Sequence, residues 1–150
     1  MQRQLHEHGA ETRLIPIVQG VEPEERAVCY EVFDRAGFDD YCAFYGTQYF
    51  TAGAGIRIDE LVADLQEIDT EQDRNIFLIG LLSPNYLERV PDSVGAAAGQ
   101  TAWRSDMAPT KQSEEELRQQ WDIFTNRAVD ALGVDPDSPV NGETTNTEMI

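Results

Sequence analysis

Two histidines, two cysteines and a scatter of acid pairs are the side chains of this chain whose types could do chemistry. His6-Glu7-His8 places two imidazoles on alternate residues. In an extended segment alternate residues share a face, so the pair could be offered to a metal. The pair lies in a polar terminal stretch with no third ligand beside it, and no metal site is expected there. Cys29 and Cys42 supply too few ligands for a metal and read as small buried hydrophobes. Acid pairs occur at Glu24/Glu25, Asp39/Asp40, Asp59/Glu60 and Glu114 to Glu116. Paired carboxylates can serve acid–base chemistry or bind cations. With 28 Asp+Glu in 150 residues, such pairs arise by proximity alone. Asp39-Asp40, ahead of an aromatic segment, is the most distinctive of them. Ala52-Gly53-Ala54-Gly55 lacks the Gly-Lys-Ser/Thr ending of a phosphate loop. There is no G-x-S-x-G elbow, and both histidines lie in the terminal arm, so no Ser-His triad is expected. The expectation is therefore no catalytic residue, no cofactor, no metal and no enzyme.

The charge is more informative. Lys111 is the only lysine beside ten arginines, and the formal net charge is −17. At ordinary ionic strength the Debye length is about 8–10 Å, and so large an excess repels itself. At about 1 M salt the length falls to about 3 Å, the repulsion is screened, and carboxylates keep the surface hydrated. In this acidic, lysine-poor composition the chain resembles proteins of salt-in halophiles, the haloarchaea and their viruses. The resemblance spans the whole chain and is one of composition. Six Phe, five Tyr and two Trp, with 41% hydrophobic residues, set it apart from a disordered acidic chain. Direct contact with nucleic-acid phosphates would need Lys and Arg in excess, so none is expected. No apolar run approaches the ~20 residues of a membrane span, and Met1 to His8 has no apolar signal-peptide core. The expected location is the cytoplasm or a haloarchaeal virion.

The elements that position these residues follow from punctuation and period. Residues 1–12 read as a polar arm, 13–133 as one globular domain and 134–150 as a second polar arm. Arg13 to Gly20 reads as a short strand, at an edge because Pro16 lacks an N–H. Glu22-Pro23-Glu24-Glu25 opens a helix that stops at Gly37, with Val28, Val32 and Ala36 as its apolar face. Tyr41 to Thr51 is rich in strand formers, with Gly46 at a bulge or turn. Ile58, Leu61, Val62 and Leu65 fall at helical spacing. Thr70 to Asp73 resembles a cap, after which Ile76, Phe77, Ile79, Leu81 and Leu82 read as a central core helix. Ser83-Pro84 starts one short turn through Leu87. Pro91 to Gln112, with Gly95-Ala96-Ala97-Ala98-Gly99, carries no period and reads as a long loop around Trp103. Ser113 to Glu116 is a capping box, and Leu117, Trp121, Phe124, Ala128 and Leu132 form one apolar stripe ending at Gly133.

The expected fold class is α+β, mainly helical, with about four helices and a small β-element. The expected function is non-enzymatic: a structural or assembly subunit of a multi-subunit complex, a virion head–tail connector component being one form. A small cytoplasmic binding or regulatory protein is the alternative. The residues expected to meet other protein subunits are Trp103, Ile123, Val129, Val140 and Ile150. Ile123 and Val129 lie off the stripe and would widen the apolar surface of the last helix.

Overall fold

A parallel sheet organises the chain. The computed structural model describes Gly9 and residues 12–53, 55–100 and 112–134. Within them lie α1 (Pro23–Ala36), β1 (Tyr41–Tyr45), β2 (Phe50–Thr51), β3 (Gly55–Ile56) and α2 (Ile58–Gln72). Then follow β4 (Asn75–Ile79), α3 (Pro84–Leu87), β5 (Val94–Ala98) and α4 (Glu114–Leu132). A 3-10 turn, Gly46–Tyr49, links β1 to β2. Helices and strands thus combine as expected, with four α-helices among the described residues. The sheet order is β1-β4-β5, and both pairings are parallel. Outside β1, Ile17 bridges Ala43 in the same sense, through Ala43 N–H to Pro16 O at 2.8 Å and Val18 N–H to Ala43 O at 2.9 Å. Pro16 therefore sits at an edge, where its missing N–H costs no ladder bond. β2 and β3 make a separate two-stranded antiparallel ribbon.

Local chemistry explains the helix ends. Pro23 is the first residue of α1, and Glu25 accepts from the Val21 N–H at 2.8 Å and the Glu22 N–H at 3.3 Å. Those backbone donors hold the Glu25 carboxyl below its ordinary range. α1 ends as Phe38 N–H reaches Phe33 O at 2.8 Å around left-handed Gly37. The capping box of α4 forms as expected: Glu116 N–H donates to Ser113 Oγ, and Ser113 N–H donates to Glu116 Oε2 at 2.8 Å. α2 buries Leu61, Leu65 and Ile68 and ends at Asp73, whose φ of 48° takes the chain out of the helix.

Three expectations are corrected. Residues 75–79 are not a helix but the central strand, and Thr70 lies within α2, its hydroxyl donating to Gln66 O. A short apolar run has no period that separates helix from buried strand, and the Asp73 turn leaves too few residues for a helix before Gly80. Residues 94–98 are not loop but β5, although glycine and alanine have little strand preference. Pairing to β4 and complete burial of Val94 decide it. The third is the orientation of α1. Val28 and Val32 are 60% and 52% exposed, while Arg26, Tyr30 and Phe33 turn inward.

That inversion follows from two buried guanidiniums. Arg26 donates to Val21 O at 2.6 Å and lies 3.5 Å from both Asp64 and Glu67 on α2. Asp64 also accepts from the Tyr49 hydroxyl. Arg74 donates to Phe38 O and Asp34, and its guanidinium lies over the Tyr30 ring at 5.6 Å and the Phe33 ring at 5.9 Å. Burial raises the Tyr30 hydroxyl well above its ordinary range. α1 is thus tied to α2 and to the start of β4 by ion pairs and cation–π contact rather than by its valines.

Candidate interaction face

Side chains alternate along a strand, so each strand divides its residues between two faces of the sheet. The register puts Cys42, Phe44, Ile76, Leu78 and Val94 on one face, each 2% exposed or less. These residues cluster with Tyr30 and Phe33 of α1, Leu61, Leu65 and Ile68 of α2, Leu87 of α3 and Ala128 of α4. All four helices therefore pack on this face. Burial there lifts the Cys42 thiol from 9.0 to about 11.

The opposite face carries Ile17, Ala43, Tyr45, Phe77, Ile79, Ala96 and Ala98. The register shift at Gly95 returns Ala96 and Ala98 to this side, opposite Phe77 and Ile79. Tyr45 is 38% exposed, Ala96 is exposed, and Phe77, Ile79 and Ala98 are half-buried. Of these seven only Ala43 is fully buried, and none belongs to the helix-packed core or its half-buried margin. Parallel sheets occur almost only with both faces covered. An apolar parallel face with no described helix on it is therefore the most distinctive surface of the molecule.

The two ends of the sheet differ in chemistry. Open parallel sheets bind ligands outside the carboxyl ends of their strands. Here β1 leads into Gly46-Thr47-Gln48, β4 into Gly80-Leu81-Leu82-Ser83 and β5 into Gly99-Gln100. None of these side chains is acidic, basic or a thiol. The exits also crowd each other. Gly80 has φ +88°, and a Cβ there would lie 2.2 Å from Thr47 Cγ2; one on Gly99 would lie 3.0 Å from the Leu82 nitrogen. The amino ends are acidic instead: Asp39 and Asp40 precede β1, Asp73 precedes β4 and Asp92 precedes β5, all exposed. A cavity of about 230 Å³ at this end is lined by Arg13, Leu14, Phe38, Asp39, Asp40 and Tyr41. A second, of about 310 Å³, lies between α3 and α4 at Glu88, Arg127 and Asp130. Among the described residues no three His, Cys, Asp or Glu side chains converge as a metal site, and Cys29 and Cys42 are free thiols. No described helix is long and apolar enough to cross a membrane.

Of the expected partner residues, Ile123 and Val129 lie among the described residues. Trp103, Val140 and Ile150 lie outside the described residues, as do His6 and His8. Ile123 is 61% exposed, whereas Val129 is half-buried. Six residues of helix turn through about 600°, which leaves the two side chains about 120° apart. They do not make one face. Trp121, expected in the core, is 43% exposed and stacks on buried Phe124 at 6.3 Å. The sequence places Phe77 and Ile79 in a core helix and Tyr45 in a strand-forming segment, and sets none of them on a shared face. The signal for them was the run Asn75 to Ile79 closed by Gly80, which fits a buried strand as well as a helix. No protein-family model, curated protein or solved structure matches the chain.

Proposed function

We propose that this chain is a non-enzymatic structural or assembly subunit of a multi-subunit complex, working in a salt-in interior or a virion formed there. The observation that carries the reading is the apolar face of the parallel sheet on which no described helix packs, with Tyr45 and Ala96 exposed and Phe77 and Ile79 half-buried. Apolar surface that the described helices leave unenclosed is a common mark of protein–protein contact. The carboxyl edge of the sheet supports the same reading, because the described residues that leave β1, β4 and β5 there include no acid, base or thiol side chain. The acidic, lysine-poor composition supports the solvent assigned. Mass by light scattering in about 2–3 M KCl, alone and within the complex isolated from the source, tests it. The expected result is a mass above one chain in the isolated complex. A single-chain mass in every preparation rejects the reading.

A further inference from the structure

α1 and α2 belong to the same core and are held in it by different means. α2 buries Leu61, Leu65 and Ile68, each 2% exposed or less. α1 buries three residues, and one of them is Arg26. The other two, Tyr30 and Phe33, lie under the guanidinium of Arg74. In each ion pair that joins α1 to α2 or to the start of β4, the buried partner is the cation. Arg26 is 1% exposed against 28% for Asp64 and 35% for Glu67, and Arg74 is 2% against 60% for Asp34. A carboxylate in contact with water loses little when its partner goes. A buried guanidinium left without carboxylates carries an unpaired charge into the core. The seam also encloses Tyr30 Oη, Arg26 Nε and Arg74 Nε, none with a hydrogen-bond partner among the described residues. Opening the seam returns all three to water, so their desolvation works against closure. Gly20 and Gly37, with φ of 107° and 82°, stand at the two ends of α1. Beneath it, the Tyr30 hydroxyl stands among Cys42, Arg26, Glu67 and Arg74, close enough for each charge to act on it. Cys42 is 0% exposed and pairs in register with Ile76, two residues beyond Arg74.

We infer that α1 is a flap latched by charge: it swings out as a unit between Gly20 and Gly37 while β1, β4 and α2 stay folded, and it uncovers the Cys42 thiol. The inference stands apart from the assembly reading. Its test uses the full chain with Cys29→Ser, which leaves Cys42 as the one thiol. Maleimide labelling of Cys42 is followed in about 2 M KCl at about pH 8 over a series of urea concentrations. The expected labelling proceeds through an opening whose urea slope is well below that of global unfolding, because only one helix leaves. Asp64→Asn with Glu67→Gln strips the carboxylates from buried Arg26 and should raise the labelling rate about tenfold or more. Arg26→Met removes the buried charge itself and leaves Asp64 and Glu67 to water, so the rate should change less than about threefold. Labelling as steep in urea as global unfolding overturns the inference. So does a rate indifferent to the two carboxylate substitutions, or an Arg26→Met chain labelled as fast as they are. Hydrogen exchange by mass spectrometry on the Cys29→Ser chain gives a second reading that needs no substitution in the latch. Amides of Pro23–Ala36 exchanging ahead of those of β1 and β4 support the flap, and exchange of all three in one step overturns it.

Discussion

The two faces of the parallel sheet share a backbone and differ in almost everything else. On one, Cys42, Phe44, Ile76, Leu78 and Val94 meet side chains from four helices and are sealed from water. On the other, Ile17, Tyr45, Phe77 and Ile79 are also apolar, yet no helix of the described chain meets them. Adjacent residues such as Phe44 and Tyr45 therefore do opposite jobs one step apart. Hydrophobicity alone does not make a core; enclosure does. The closed face holds the domain together, and the other face is apolar surface that the described helices leave unenclosed.

The largest expected effect separates these neighbours. Phe44→Ala removes a ring that is 1% exposed and stacked with Tyr49 at 6.1 Å, and should cost about 3–5 kcal/mol. Tyr45→Ala, on the open face, should cost under about 1 kcal/mol in the isolated chain. Denaturant unfolding in molar KCl measures both. Equal losses would mean that the open face is as enclosed as the closed one. Phe124→Ala and Trp121→Ala repeat the contrast on α4, where the buried ring should again cost more than the 43%-exposed one.

A second, smaller effect probes how the carboxyl edge is closed. Gly80→Ala forces an L side chain to φ +88° and drives its Cβ to 2.2 Å from Thr47 Cγ2. The expected loss is about 2–3 kcal/mol, from backbone strain and overlap together. Thr47→Ser deletes that methyl and should recover roughly half of it in a double-mutant cycle. Additive losses would show that the two strand exits do not touch, and that this edge has room for a ligand after all.

Salt dependence acts on the whole molecule. With a net charge of −17, the thermal midpoint should rise between 0.1 M and molar KCl as carboxylate repulsion is screened. An equal or lower midpoint in high salt would remove the halophile reading while leaving the contrast between the faces untouched.

Much of the local structure was legible in the residues. Leu61 and Leu65 announced the buried side of α2, and Ser113 with Glu116 announced the start of α4. Gly37 and Gly133 marked helix ends by the left-handed turns they take. What failed depended on partners distant in sequence. Ile76 to Ile79 is an apolar run without a period, and only pairing with β1 and β5 makes it a strand. Gly95 to Ala98 has poor strand propensity and is fixed by the ladder. Val28 and Val32 looked like the inner side of α1, because a hydrophobic pattern cannot anticipate that Arg26 and Arg74 are buried with carboxylates and rings. The open face was illegible for the same reason. It exists only once register assigns Tyr45, Phe77 and Ile79 to one side and the helices are seen to take the other.

The smallest effect tests the enclosure of the closed face by its chemistry. Burial raises the Cys42 thiol from 9.0 to about 11, with Arg74 opposing the shift. A raised pKa means that the folded state keeps its proton where the unfolded chain has begun to lose it. The resulting stability is fully present below pH 9.0 and is lost as pH climbs through about 11. By pH 10 the loss from this group should be about 1 kcal/mol. Tyr30 and Tyr49, also raised by burial, extend the decline to higher pH. Cys42→Ala should therefore flatten the stability curve between about pH 8 and 10 while leaving the steeper tyrosine limb above it. Urea unfolding at closely spaced pH values reads both limbs. If the wild-type and Cys42→Ala curves run parallel from pH 8 to 10, the thiol titrates as it does in water, and the sheet face it stands on is open to solvent like its opposite.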